Sequence, residues 1–164
     1  MIWLAAATIV GTGVLYLWIR LRIRRTARRR ELDLTRSVAM TDGMTGQQFE
    51  LWTAALLRRE GFTDVQVFGG ANDCGADVVA VAPNGARTVV QCKRYAATRK
   101  VSSPDVQRFA GTVRALHEAQ VALLVTTGGI TTPAADIAER LGITVVTRPE
   151  LMEWAANGKG PTME

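Results

Sequence analysis

Two cysteines and one histidine are all the thiol and imidazole metal ligands that 164 residues offer. No spacing among them completes a zinc set, and two thiols exclude a disulfide-built scaffold. The only histidine, His117, has no nucleophile in a recognisable setting and reads as a surface or satisfied residue. No internal repeat occurs, and no low-complexity segment apart from one run of arginines. The Walker lysine pattern is missing, which argues against a nucleotide triphosphate site. Two stretches also lack acid: residues 2–19 carry no charge of either sign, and residues 87–100 hold five basic side chains without one carboxylate.

What is present bounds the class. A 48% hydrophobic chain of this length excludes wholesale disorder and fits one domain with a sizeable core. The net charge of +5 is a local matter, because seven arginines (Arg20, Arg22, Arg24, Arg25, Arg28, Arg29 and Arg30) stand within residues 20–30. Residues 44–157 hold eleven basic and eleven acidic side chains, so that block is neutral. Total charge therefore says little about what the globular part binds.

The uncharged run IWLAAATIVGTGVLYLWI, as a helix, rises about 27 Å, close to the hydrocarbon thickness of a bilayer. Trp3, Tyr16 and Trp18 stand near its ends, where aromatic rings favour the interface. A secretory signal would want its positive charge ahead of the apolar run, and here it follows. The reading is a transmembrane helix over 1–19 and an arginine-rich juxtamembrane linker over 20–43. A globular domain over 44–157 and a tail over 158–164 complete the chain. The arginines predict a single-pass protein of the inner or plasma membrane, with the domain in the cytoplasm and residues 2–30 against membrane lipid.

Within the domain, Thr45-Gly46-Gln47-Gln48 reads as a capping box opening a helix over 46–60. Short strands follow at 65–68, 76–82 and 87–93, the last two flanking the turn Pro83-Asn84-Gly85. Ser103-Pro104 opens a helix to about 119, 121–127 is an apolar strand, and Thr132-Pro133 opens a helix to 141. A strand at 143–147 and a helix at 149–156 close the order. The fold class is α/β, a mixed sheet flanked by helices.

Asp77 begins the second strand, and Gln91 and Lys93 end the third, two residues apart and so on one face. A two-residue Asn84-Gly85 turn would pair Asp77 with Cys92, on the wrong face; a three-residue turn or a bulge would pair it with Gln91 or Lys93. The second arrangement is expected. An acid, an amide oxygen and a lysine at one sheet end suit metal-assisted phosphodiester hydrolysis. The lysine would orient the attacking water or steady developing charge. Glu50, one turn into the first helix, adds a further acid if that helix packs on the hairpin. A solvated strand end with a salt bridge is the plain alternative.

The runs TGQQFELWTAALLRREGFTDVQV, NDCGADVVAV, VVQCKRY, VSSPDVQRFAG and LLVTTGGITTPA, in this order, resemble the Mrr-type restriction endonucleases of the PD-(D/E)xK superfamily. The resemblance spans about residues 44–156 and implies a restriction-endonuclease-like α/β sheet and Mg²⁺-dependent cutting of DNA, with Mn²⁺ able to substitute. It implies that Asp77 is the metal-binding acid, Gln91 the second ligand, Lys93 the catalytic lysine and Glu50 the acid on the first helix. Two departures stand out. Gln91 replaces the superfamily's common Glu, as in Mrr-like members, and weakens metal binding because an amide carries no charge. Cys74 stands where such loops usually carry Gly.

Arg87, Arg94, Arg99 and Lys100 form the expected DNA-contacting strip beside Lys93, with Gln107 and Arg108 on the following helix facing the same groove. Cys74 and Cys92 read as small buried or half-buried residues. Thr126-Thr127-Gly128-Gly129 reads as a tight turn into a helix whose N-terminus suits a phosphate. Residues 44–157 leave no room for a separate DNA-recognition domain, and a double-strand break would need a homodimer. The rival reading is a catalytically silent nuclease-fold module that binds nucleic acid or a partner at the membrane.

Overall fold

The structure, a computed structural model, describes residues 16, 18–20, 22, 38–69, 75–158 and 160–161. The chain divides into two units, Met1–Leu34 and Thr35–Glu164. In the first, Tyr16, Trp18, Ile19, Arg20 and Arg22 are helical and exposed. The Arg20 guanidinium lies 5.3 Å from the Tyr16 ring centre and that of Arg22 4.8 Å from the Trp18 ring centre. Among the described residues no helix is long and apolar enough to cross a membrane. That corrects the expected single-pass location in the inner or plasma membrane, which needed such a helix over 1–19. Most of 2–19, and of the stretch 2–30 expected to meet membrane lipid, lies outside the described residues.

The second unit opens with a 3-10 helix, Val38–Gly43, within what the sequence suggested was a plain connection. Helix α1, Gly46–Arg59, follows with the expected box: the Gln48 N–H donates to Thr45 Oγ1 at 3.2 Å and the Thr45 N–H to Gln48 Oε1 at 2.8 Å. Its apolar face buries Phe49, Trp52, Leu56 and Leu57. Strands β1 (Thr63–Val67), β2 (Val78–Val81) and β3 (Arg87–Lys93) form an antiparallel meander. Strand β5 (Val121–Thr126) then joins β3 in parallel and β7 (Ile143–Val146) joins β5, giving the order β1-β2-β3-β5-β7.

Helices cover both faces. On one side α1 and α4 (Arg148–Asn157) pack through Phe49, Leu57, Leu151 and Trp154 onto Val78, Ala80, Val90 and Leu123. On the other, α2 (Ser103–Val113) and α3 (Thr132–Arg140) pack through Val106, Phe109, Ala134 and Ala138 onto Val89, Ala122 and Leu124. Alternation along β3 therefore sends Val90 and Cys92 toward α1, and Val89, Gln91 and Lys93 toward α2.

Helix α2 differs from expectation at both ends. Its cap is Ser102, not Ser103, because Ser102 pairs with Asp105 in a capping box. It stops at Val113, well short of 119, and Glu118 turns the chain with a φ of 51°. Two short strands escaped the sequence: β4 (Lys100–Val101) pairs in parallel with β6 (Gly129–Ile130).

Candidate active site

The β2–β3 turn decides where Asp77 falls. The Ala82 N–H donates to the Ala86 carbonyl, leaving a three-residue loop, Pro83-Asn84-Gly85, with Gly85 at φ 85°. That positive φ is one that glycine adopts without steric cost. The register that follows sets Val81 against Arg87 and Val78 against Val90. Just ahead of β2 the ladder slips: the Asp77 N–H donates to the Val90 carbonyl at 3.0 Å. The Asp77 carboxylate folds over the end of β3, and its Oδ2 accepts the Cys92 N–H at 2.6 Å.

Asp77 and Gln91 are both buried, at 8% and 9% exposure, and Lys93 is half-buried beside them. The Gln91 side-chain oxygen is buried and accepts no hydrogen bond among the described residues. Such an atom costs about 1–3 kcal/mol unless something fills its lone pairs. Glu50, half-buried on α1, and Asp77 both act on the Cys92 thiol. Burial pushes that thiol well above its ordinary range, and the two carboxylates push it further; Thr53 and Lys93 pull the other way. Asp77, Glu50 and Lys93 thus all lie close enough to Cys92 to act on its thiol. Cys74 lies outside the described residues.

Asp105 escaped the sequence reading. It sits in the first turn of α2, over the face of β3 that carries Lys93. Burial alone would raise its pKa, but the Ser102 hydroxyl and N–H, with Lys93 and Arg108, hold it below its ordinary value. Its signal in the sequence was the Ser102-to-Asp105 spacing of a capping box.

The basic strip divides. Arg94 is exposed directly beyond Lys93 and reaches the Asp42 carbonyl at 3.4 Å. Arg99 is exposed and stacks 4.0 Å from the Tyr95 ring centre, and Lys100 opens β4. Arg87 does not join them. It starts β3 at the far end from Lys93, about 20 Å away at the rise of a strand, and its Nε donates to the His117 carbonyl at 2.7 Å. Gln107 is exposed on α2, while Arg108 is tied locally to Asp105 and the Pro104 carbonyl. His117 is half-buried, and its Nε2 has no hydrogen-bond partner.

Among the described residues no group of three His, Cys, Asp or Glu side chains is placed to hold a metal. The donors at hand are instead carboxylate and amide oxygens, a set that suits a hard divalent cation. The unfilled Gln91 oxygen fits that role.

A mixed five-stranded sheet covered on both faces, with an acid, an amide and a lysine at one strand end, defines a restriction-endonuclease-like α/β fold. Residues 41–155 match the Mrr_cat restriction endonuclease family, and the chain belongs to that family. No curated protein sequence matches it. Among solved structures, the DNA modification-dependent restriction endonuclease AspBHI superposes with a TM-score of 0.57 at 16% identity, over 80% of this chain and 36% of that one. The MspJI restriction endonuclease, in complex with a 27-mer oligonucleotide, superposes with a TM-score of 0.52 at 20% identity, over 74% and 31%. AF1548, a protein of unknown function, gives 0.53 at 18% identity, over 70% and 61%. The chain thus spans about a third of the two endonucleases and under two thirds of AF1548.

Proposed function

We propose that the chain is a divalent-metal-dependent DNA endonuclease. The observation that carries this is the buried pair Asp77 and Gln91, with Lys93 beside them, at the end of β3 in a member of a restriction endonuclease family. Asp77 and Gln91, with Glu50, would hold Mg²⁺ or Mn²⁺, which supplies Lewis-acid polarisation of the scissile phosphate and a more acidic water. The chain's own part is positional. Lys93, half-buried at the end of β3, steadies the negative charge that develops on the phosphate, and orients the attacking water toward it. The exposed guanidiniums of Arg94 and Arg99 and the Lys100 ammonium take flanking phosphates, which fix the register of the strand without reading its sequence. Two such sites in a homodimer would cut both strands.

The test uses the full chain on supercoiled plasmid DNA with Mg²⁺ or Mn²⁺. Cutting is expected from the wild type and lost in Asp77→Ala and Lys93→Ala. Metal should also raise the melting temperature of the wild type and leave that of Asp77→Ala unchanged. A wild type as inert as its variants overturns the enzymatic reading, and retained DNA binding would then point to the silent module.

A further inference from the structure

Strand β5 is apolar, VALLV, until it ends in Thr126, and Thr127 follows it; both are fully buried. Valine would fill either place with the same shape, so the hydroxyls need a reason: a buried hydroxyl is costly unless it is bonded. Both are. Thr126 Oγ1 donates to the Lys93 carbonyl at 2.8 Å, and the Thr127 N–H donates to the same oxygen at 3.2 Å. Thr127 Oγ1 donates to the Tyr95 carbonyl at 2.6 Å and accepts the Tyr95 N–H at 2.9 Å. The two threonines therefore hold the backbone on either side of Arg94.

The next residue extends the grip. A Cβ at Gly128 would stand 2.2 Å from the Arg99 carbonyl oxygen and 3.3 Å from that of Ala96, so only glycine lets this backbone close on the basic loop. The Gly128 N–H donates to Thr126 Oγ1, and the Gly129 N–H donates to the Arg99 carbonyl. From behind, Arg148 anchors the turn: its N–H donates to the Gly128 carbonyl and its Nη1 to that of Thr127. The same guanidinium makes a two-pronged ion pair with Asp42, 2.7 Å on each arm.

We propose that Thr126, Thr127 and Gly128 are positioning residues: Thr126 sets Lys93 through its carbonyl, and Thr127 with Gly128 sets the loop carrying Arg94 and Arg99. This rests on the endonuclease reading for its kinetic consequences but not for its geometry. None of the three touches the reacting atoms. A small misplacement of a catalytic group costs far more in rate than in stability, so the two threonines separate in kinetics. Thr126 acts on Lys93 and hence on kcat; Thr127 acts on the DNA-binding loop and hence on KM.

The experiment compares full-length Thr126→Val, Thr127→Val and their serine counterparts with the wild type. Thr126→Val should lower kcat about tenfold or more with KM nearly unchanged, and Thr126→Ser should restore it. Thr127→Val should raise KM for DNA several-fold with kcat largely kept, and should expose the Tyr95 amide to hydrogen exchange, which Thr127→Ser should reverse. Equal losses in kcat and KM that track melting temperature, without serine rescue, overturn the assignment. So does wild-type kinetics in Thr126→Val. If the wild type itself does not cut, the endonuclease reading has failed, and Tyr95 exchange still decides the clamp: unchanged protection in Thr127→Val overturns it.

Discussion

Strand β3 has a basic side chain at each end, Arg87 and Lys93, and the two ends are put to opposite uses. At the first, Arg87 is tied to the residues ahead of β5: the Arg87 N–H donates to Gln120 Oε1 at 2.6 Å and its Nε to the His117 carbonyl at 2.7 Å. At the second, a carboxylate and an amide are buried, and the amide oxygen has no hydrogen bond. A strand end tied off by neighbours closes a fold. A strand end that keeps a desolvated oxygen pays for it in stability, and proteins keep such atoms where they hold a ligand.

The largest effect that separates the two ends is in cutting. Lys93→Ala or Asp77→Ala should lower plasmid cleavage by at least about a hundredfold, the scale of losing one group that meets transition-state charge. Arg87→Ala should leave the rate near wild type, and a comparable loss there would erase the distinction. Next comes Gln91. Gln91→Leu should abolish metal-induced stabilisation, yet raise the metal-free unfolding free energy by about 1 kcal/mol or leave it unchanged, because it removes a buried unbonded oxygen. A clear loss of metal-free stability would mean that the oxygen has a partner within the protein.

DNA binding gives a smaller contrast. Arg94→Ala and Arg99→Ala should each reduce the slope of log affinity against log salt by about 1, as expected for one lost phosphate contact. Arg87→Ala should leave that slope alone. Fluorescence anisotropy on a short duplex across a salt series measures all three.

Why one end of β3 was legible and the other was not comes down to the range of the forces. Lys93 and Gln91 follow from strand alternation, which is local, and the three-residue turn ending in Gly85 fixes the register of β2 on β3 up to Val78. The box at Thr45 and Gln48 is likewise written in four consecutive residues. Arg87 was assigned to the DNA strip by closeness in sequence, but a seven-residue strand separates its ends by about 20 Å. The pairing of β4 with β6 depends on Gly128 letting a distant backbone approach, and two-residue strands leave no periodic pattern. Asp105 next to Lys93 needed the packing of α2 on the sheet, which neither segment encodes alone.

The smallest contrast lies in acid. Asp105 is at the Lys93 end, and its folded pKa lies below the ordinary 3.8. Burial opposes that shift, and the Ser102 hydroxyl and N–H, with Lys93 and Arg108, outweigh it. A carboxylate that ionises more readily when folded contributes stability above its unfolded value, and the contribution is lost as pH falls through the lower folded value. The urea midpoint of the wild type should therefore drop below about pH 4. Asp105→Asn should flatten that drop while retaining much of the cap, since an amide oxygen still accepts from the Ser102 N–H. Asp42 is shifted the same way by Arg148, so Asp42→Asn should remove a further part of the acid limb. Arg87→Ala, with no carboxylate among its partners in the described residues, should shift the whole curve without changing its shape. A shape change there would mean that the quiet end of β3 carries an ionic contact of its own.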